Sequence, residues 1–426
     1  MGTVRQTWHM APVTTSTLPD DIPAAIRAVK AELRARLGDV AGALADVEAG
    51  MRAEVGAIVA ARAAGGEVWP VVAFADVAAA TVPAATVAAI RRRGCAVVRG
   101  TFPRAQAEAW DRELAAYVDV NDFDAKFRRV DEEIFGGLKH GRPSIFPIYW
   151  SRPQVQARQH PNMAAVQSFL NRFWAFESHG RRWFDPDRDS AYPDRVRRRP
   201  PAEAARGLSP HADSGKIERW LLPAYQQVYR AVFDGDWREY DPWDAAHRTE
   251  VHEYPAKVMC SAFRTFQGWT ALNDVEPSDG VLHVVPIPAA MAYMLLRPLA
   301  DDVPDDELCG ATASRSIAAV PEYHEVLLPA LTPIPAVAPG DTVWWHGDII
   351  HSVEPAANVE RWNNVMYIPV APWCEKNAAY ARACLDSFER GASPFDFPEE
   401  HYETDWTNRA TVGDLSEIGR AQFGLR

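Results

Sequence analysis

The sequence predicts a mixed α/β (α+β) fold in which an antiparallel β core is wrapped by helices and preceded by a helical N-terminal extension. Two observations carry this. Residues 256–288 and 333–373 consist of short β-type runs bounded by Gly, Pro and Asp, as the two halves of one antiparallel core would read. Residues 20–64 are instead rich in Ala, Arg, Glu and Val with few breakers after Pro23, which predicts one long helix or a helical pair ending at Gly65-Gly66. A chain of 426 residues with 47% apolar content is long enough for one large core with elaborations or for two domains. It contains neither an internal repeat nor a low-complexity linker, so one elaborated domain over residues 85–426 is expected behind an extension over residues 1–84.

The elements follow in order. In "IRRRGCAVVRGTFPRAQAEAWDRELAAYV" a helix runs out through Gly94 into an apolar strand from Cys95 to Val98, and Phe102-Pro103 opens an amphipathic helix. Residues 121–255 are aromatic, charged and broken by proline, with one good helical segment, "NMAAVQSFLNRFWAF", and irregular stretches such as "DPDRDSAYPDRVRRRPP". Between the two β blocks, "PLADDVPDDELCGATASRS" reads as an insertion or lid with some helix, and "EKNAAYARACLDSFERG" after Trp373 is helical. Segments near 121–204 and 289–330, irregular and rich in Arg, Tyr and Trp, have the composition of loops over a pocket.

A formal net charge of −12 excludes a nucleic-acid surface, which needs clustered Lys and Arg. The runs Arg91-Arg92-Arg93 and Arg197-Arg198-Arg199 are local exceptions, and such runs are ordinarily solvated. Cys95, Cys260, Cys309, Cys374 and Cys384 are scattered without Cys-x-x-Cys spacing, the pattern of a reduced intracellular protein. No basic start followed by an apolar stretch opens the chain, and no apolar run approaches the ~20 residues of a membrane helix. The expectation is a cytoplasmic protein that acts on a small molecule, with neither nucleic acid nor membrane as partner; oligomeric state is not legible.

Two His-x-Asp sequences stand out. In "LSPHADSGK", His211 and Asp213 sit at i and i+2, so on an extended strand both face one side and can reach one ion. In "WWHGDIIHSVEP", His346 with Asp348, His351 with a partner elsewhere, or two ordinary histidines at strand ends are all open readings. His346, Asp348 and His351 lie too close along one bent strand to surround an ion, whereas His351 on a separate strand can oppose His211 and Asp213. Two imidazoles and one carboxylate on one face leave three coordination positions open, the arrangement that suits Fe(II) oxygenases. Asp348 and His346 then cap the turn or support the ligands from behind.

The order of motifs sharpens this. His211 and Asp213 are followed by Trp269 to Leu272, by Gly280 to Pro286, by Gly340-Asp341, by His351 and by Arg361. In this order, and in the opening "RRRGCAVVRGTF", the chain resembles the phytanoyl-CoA-dioxygenase-like group of Fe(II)/2-oxoglutarate oxygenases, and more closely its YbiU-like branch, a domain of unknown function. The similar segments cover residues 85–118 and most of 205–373.

The resemblance implies a double-stranded β-helix (jelly roll, cupin-type) core. It also implies metal ligands His211, Asp213 and His351, which are the catalytic set as well, with Fe(II), 2-oxoglutarate and O2 as cofactor and co-substrates. Arg361 is the implied clamp for the distal carboxylate of 2-oxoglutarate, with Arg264 on "CSAFRTFQGW" as its competitor and Gln267 on the same strand as a further contact. The implied reaction hydroxylates, or otherwise oxidises, a C–H bond of a small molecule, anionic or amino-acid-like, and releases succinate and CO2. Asp213 argues against a halogenase, which needs a small residue there. Alternatives on the same barrel are an inactive cupin-like binding protein and a Zn-dependent hydrolase or isomerase.

Overall fold

The β-type runs sort into two antiparallel arrays that the chain visits alternately. The structure, a computed structural model, describes residues 13, 15–126, 145–201, 207–256, 261–313, 315–356 and 360–425. Val196–Arg199 lies in a seven-stranded sheet, Leu208–Ala212 in a five-stranded one, Phe266–Ala271 back in the first and Leu282–Val284 in the second. Thr332–Pro333 stays in the second sheet, Thr342–His346 returns to the first, His351–Val353 goes to the second and Asn363–Tyr367 ends in the first. In space the first sheet runs Thr342–His346, Phe266–Ala271, Asn363–Tyr367, Val196–Arg199, and the second runs Leu208–Ala212, His351–Val353, Leu282–Val284, Thr332–Pro333. Every one of these pairings is antiparallel. The parallel pair Val71–Ala73 and Cys95–Arg99 extends one edge of the larger sheet, and Ile317–Ala318 extends the smaller sheet beside Leu208–Ala212.

The larger sheet is covered on both faces, so its strands read as continuous apolar runs rather than alternating ones. Along Thr342–His346, Val343 and Trp345 point toward the other sheet with Trp269, Leu282 and Val284, while Trp344 points outward to Trp110, Leu114, Val166 and Leu170 on the covering helices. Gly268 opposes Trp344 across the strand pair, and a Cβ there would lie 2.2 Å from the indole, so only glycine admits this ring.

The N-terminal stretch forms a helical pair, Ile22–Leu37 and Val40–Ala63, broken at Gly38 with φ of 71°. Asp21 and Asp39 cap the two N-termini by accepting from the backbone N–H of Ala24 and Gly42. These helices pack on Ala290–Leu296, all of whose residues are buried. The 289–330 segment therefore divides. Its first part is core, and only its later part, at Arg315 and Ser316, reaches a cavity.

Of the cysteines, Cys95, Cys309, Cys374 and Cys384 are buried; Cys260 lies outside the described residues, as do 127–144 and 202–204 of the 121–204 segment. Among the described residues no helix is long and apolar enough to cross a membrane.

Candidate metal centre and its cavity

Strand pairing brings the two predicted imidazoles face to face. His211, near the end of Leu208–Ala212, is the direct partner of His351, the first residue of its strand, and their ring centroids are 4.3 Å apart. Asp213 follows immediately beyond the paired strand and reaches His211 Nε2 at 3.3 Å with Oδ1 and His351 Nε2 at 3.4 Å with Oδ2. One ligand atom from each residue lies within 4.8 Å of the others, and among the described residues no other such group of His, Cys, Asp or Glu occurs.

Both imidazoles are oriented from behind. His211 Nδ1 lies 2.7 Å from the Ser209 carbonyl and His351 Nδ1 lies 3.2 Å from the Ile349 carbonyl. A carbonyl only accepts, so each Nδ1 carries a proton, and in the neutral imidazole each Nε2 has its lone pair free for a cation placed between it and Asp213. That is how a metal-binding histidine is prepared. The contacts to Asp213 are longer than the ~2.7–2.9 Å of a closed charge-assisted bond, so the three donors converge without sealing against one another. The Ser316 hydroxyl donates to Asp213 Oδ1 at 2.9 Å.

The charges of the three groups are coupled through Asp213. Burial opposes ionisation of Asp213, but the adjoining His351 and His211 hold its carboxyl well below the ordinary range. Burial pulls His211 down, and its bond and charge contact with Asp213 outweigh that and raise it. His351 is lowered, by burial first and by the neighbouring His211 next. Two buried imidazoles with their Nε2 atoms inward and a half-buried carboxylate form a donor set that fits a divalent transition metal such as Fe(II) or Zn(II).

The three residues open on a cavity between the sheets. Arg264 and Gln267 line it, and Trp269 is both core and wall. Arg361 is not brought there. It is 42% exposed and makes loose ion pairs with Glu276 at 3.7 Å and Asp279 at 3.5 Å, because it precedes the strand Asn363–Tyr367 instead of lying on it.

The structure supplies a residue that sequence reasoning passed over. Arg197 was grouped with a solvated run, yet Val196–Arg199 is an interior strand on which every residue is buried. Alternation turns Arg198 outward toward Asp111 and Trp362 and turns Arg197 toward the cavity, where its Nη2 donates to Asn363 Oδ1 at 2.5 Å. Its Nε, Gln267 Nε2 and Trp345 Nε1 are buried donors that lack an acceptor among the described residues, and all three residues line the same cavity. The signal available in sequence was the position of three arginines between proline-rich stretches; nothing in it distinguished a strand from a loop.

His346 and Asp348 lie outside the three-residue group, on the turn that leads to His351. His346 Nε2 meets the Pro242 carbonyl at 3.0 Å, its Nδ1 accepts from the Asp348 N–H at 3.0 Å, and its ring stacks on Trp174 at 4.6 Å. Burial lowers it to about 3, so it is a neutral packing residue.

Comparison with known proteins extends these similarities to nearly the whole chain. The uncharacterized protein YbiU of Escherichia coli K12 is 53% identical over 414 residues, which span 97% of this chain and 98% of that protein. A crystal structure from Salmonella typhimurium LT2, described as a "Putative Oxidoreductase", superposes with a TM-score of 0.94 at 53% identity and covers 97% of this chain and 100% of that one. The structure of GlcNAc Inducible Gene 2 of Candida albicans superposes with a TM-score of 0.79 at 25% identity over 96% of this chain and 91% of that one. The Gig2-like family model matches residues 20–425, and with it the YbiU-like resemblance is borne out: the chain belongs to the Gig2-like family.

Proposed function

We propose that the protein is an Fe(II)- and 2-oxoglutarate-dependent oxygenase built on a double-stranded β-helix. The observation that carries this is the convergence of His211, Asp213 and His351 on one point at the wall of a cavity whose lining holds unmatched donors. The largely alternate visits of the chain to two sheets, from Val196–Arg199 to Asn363–Tyr367, support a jelly-roll reading of the core. The name given to the Salmonella relative is consistent with oxidoreductase chemistry.

His211, Asp213 and His351 would hold the iron, which when bound supplies activation of O2 with oxidative decarboxylation of 2-oxoglutarate. The chain's own residues do the rest. Arg197 is the best-placed clamp for the distal carboxylate, since its Nε and the amide of Gln267 are donors in want of acceptors, and a guanidinium matches a carboxylate with two parallel bonds. Arg264 remains its alternative at the same cavity. Trp269 and Trp345 wall the site and exclude water from the reacting centre. At the cavity wall Arg195 lies 5.1 Å from the Phe397 ring and Arg264 lies 5.7 Å from the Tyr192 ring, so the wall joins charged and aromatic surface.

Anaerobic addition of Fe(II) and then 2-oxoglutarate tests the proposal. The visible charge-transfer band of the chelate is the expected result, followed on admission of O2 by succinate. A protein that takes up Fe(II) and shows neither band nor succinate is not an oxygenase of this kind.

A further inference from the structure

The two imidazoles are placed by strand pairing, but the carboxylate is not. Leu208–Ala212 ends before Asp213, so no ladder bond fixes that residue, and something else must hold the turn that carries it. The Ser316 hydroxyl is one restraint. A second comes from below, through a fully buried ionic cluster. Asp348 accepts from Arg219 Nη1 at 2.9 Å, Arg248 Nη2 at 2.9 Å, Tyr240 OH at 3.0 Å and Tyr229 OH at 3.2 Å. Arg219 turns its other nitrogen, Nη2, to the carbonyl of Ser214, the residue after Asp213.

One guanidinium thus spans the turn that leaves Asp213 and the turn Gly347–Ile350 that enters His351. The two turns also touch directly: a Cβ on Gly347 would lie 2.8 Å from the Ser214 hydroxyl. Arg248 shares Asp348 with Arg219, but its remaining bonds go to Tyr240 and to the carbonyls of Pro242 and Asp244, away from the ligand turns. The buried charges of Arg219 and Asp348 are therefore expected to have distinct consequences from those of Arg248, although all three belong to one cluster.

We infer that Arg219, anchored by Asp348, is a positioning residue for the metal ligand Asp213; this rests on the metal reading of the His211, Asp213, His351 site. A planar fork suits this span, because its two nitrogens hold Asp348 and the Ser214 carbonyl at a fixed separation. A lysine ammonium would have to reach both acceptors from one point on a flexible stem. Partners that orient metal ligands typically contribute roughly 10- to 100-fold to metal affinity.

The test uses Co(II) as an O2-stable probe on the full chain, read by its d–d absorption spectrum and by titration, with circular dichroism and thermal unfolding recorded on the same samples. Arg219→Lys is expected to weaken Co(II) binding roughly 10-fold or more and to alter the spectrum. Arg248→Gln removes a guanidinium from the same carboxylate, and is expected to lose comparable thermal stability while keeping Co(II) affinity within about 3-fold and the wild-type spectrum. Equal weakening in both variants overturns the inference, since the cluster then acts only through general stability. Wild-type affinity and spectrum in a folded Arg219→Lys overturn it as well. If Arg219→Lys does not fold, Asp348→Asn replaces it and must show the same spectral change. Absence of Co(II) uptake by the wild type removes the metal reading and this inference together, whereas uptake by the wild type with an unaffected Arg219→Lys removes this inference alone.

Discussion

His346 and His351 stand in one short stretch of sequence, and their neighbours give them opposite tasks. The imidazole of His351 is backed by a carbonyl at Nδ1 and faces Asp213 with Nε2, so its lone pair is available. That of His346 is engaged at both nitrogens and sandwiched with Trp174. Removing His211 or His351 as alanine is expected to abolish stoichiometric Co(II) or Fe(II) binding. His346→Ala is expected to keep it while losing about 2–4 kcal/mol of stability from the packed ring; retained binding in His351→Ala with loss in His346→Ala would move the metal to the other histidine. At the same scale, Arg197→Ala is expected to raise the 2-oxoglutarate requirement by the equivalent of about 2–5 kcal/mol, the usual effect of truncating one side of a buried charge pair. Arg361→Ala is expected to change it less than 3-fold, about the scale of an exposed ion pair. A titration of 2-oxoglutarate monitored by the chelate band checks both, and the reverse ranking would return the clamp to Arg361.

At the scale of elements, what was legible followed from chemistry that local spacing encodes. The closeness of His211 and Asp213 was legible from their i and i+2 spacing, although the strand ends at Ala212 and Asp213 is held by the turn beyond it, and the helical pair before Gly65 needs only propensity and caps. Arg361 and Arg197 show where that ends. A shift of a residue or two decides whether a side chain starts a strand or precedes it, and strand pairing across the sheet, not sequence distance, turned Arg197 inward. The partners of the buried Asp348 were invisible for the same reason, because Arg219, Tyr229, Tyr240 and Arg248 precede it by 100 to 129 residues. The cluster gives a pH prediction. Burial opposes charge on Asp348, but Arg248 and Arg219 hold its carboxyl far below the ordinary 3.8. A carboxyl depressed on folding contributes stability above its unfolded value and loses that contribution as pH falls below it. Asp348→Asn is therefore expected to lose about 3–5 kcal/mol at pH 7, since two buried guanidiniums are left with a neutral partner. The gap between variant and wild type should narrow below about pH 4 in urea unfolding. A gap that is constant down to pH 2.5 would mean that the carboxylate charge is not what stabilises the cluster.

The molecule as a whole is tied together behind the smaller sheet. Ala212 and Ile350, each next to a proposed metal ligand, belong to a single buried cluster with Trp220, Met291, Leu295 and Leu299, and that cluster continues into Ile26, Leu33, Val47, Met51 and Ile58 of the N-terminal helices. The extension is thus the outer layer of the sheet that carries His211 and His351, and a sheet face must be covered to be stable. Lys30 shows how closely the layers are joined: its buried ammonium lies 2.8 Å from the Pro304 carbonyl, 3.1 Å from that of Glu307 and 3.4 Å from that of Val303. Burial lowers its proton affinity, and these carbonyls are what keep the amine hydrogen-bonded there. Lys30→Met retains the apolar stem but strands the carbonyls, with an expected loss of about 1–3 kcal/mol. Deletion of residues 1–64 removes the whole layer, and at roughly 1.5–3 kcal/mol for each large apolar side chain exposed, the loss exceeds the ~5–15 kcal/mol by which a domain is ordinarily stable. The truncated chain should therefore not fold, and co-expression of residues 1–64 as a separate peptide should restore some soluble protein that unfolds cooperatively and binds Co(II). A truncated chain that alone keeps wild-type thermal unfolding and metal uptake would show that residues 65–426 form a self-sufficient domain, and that the contacts across this cluster contribute little to holding the metal-bearing sheet.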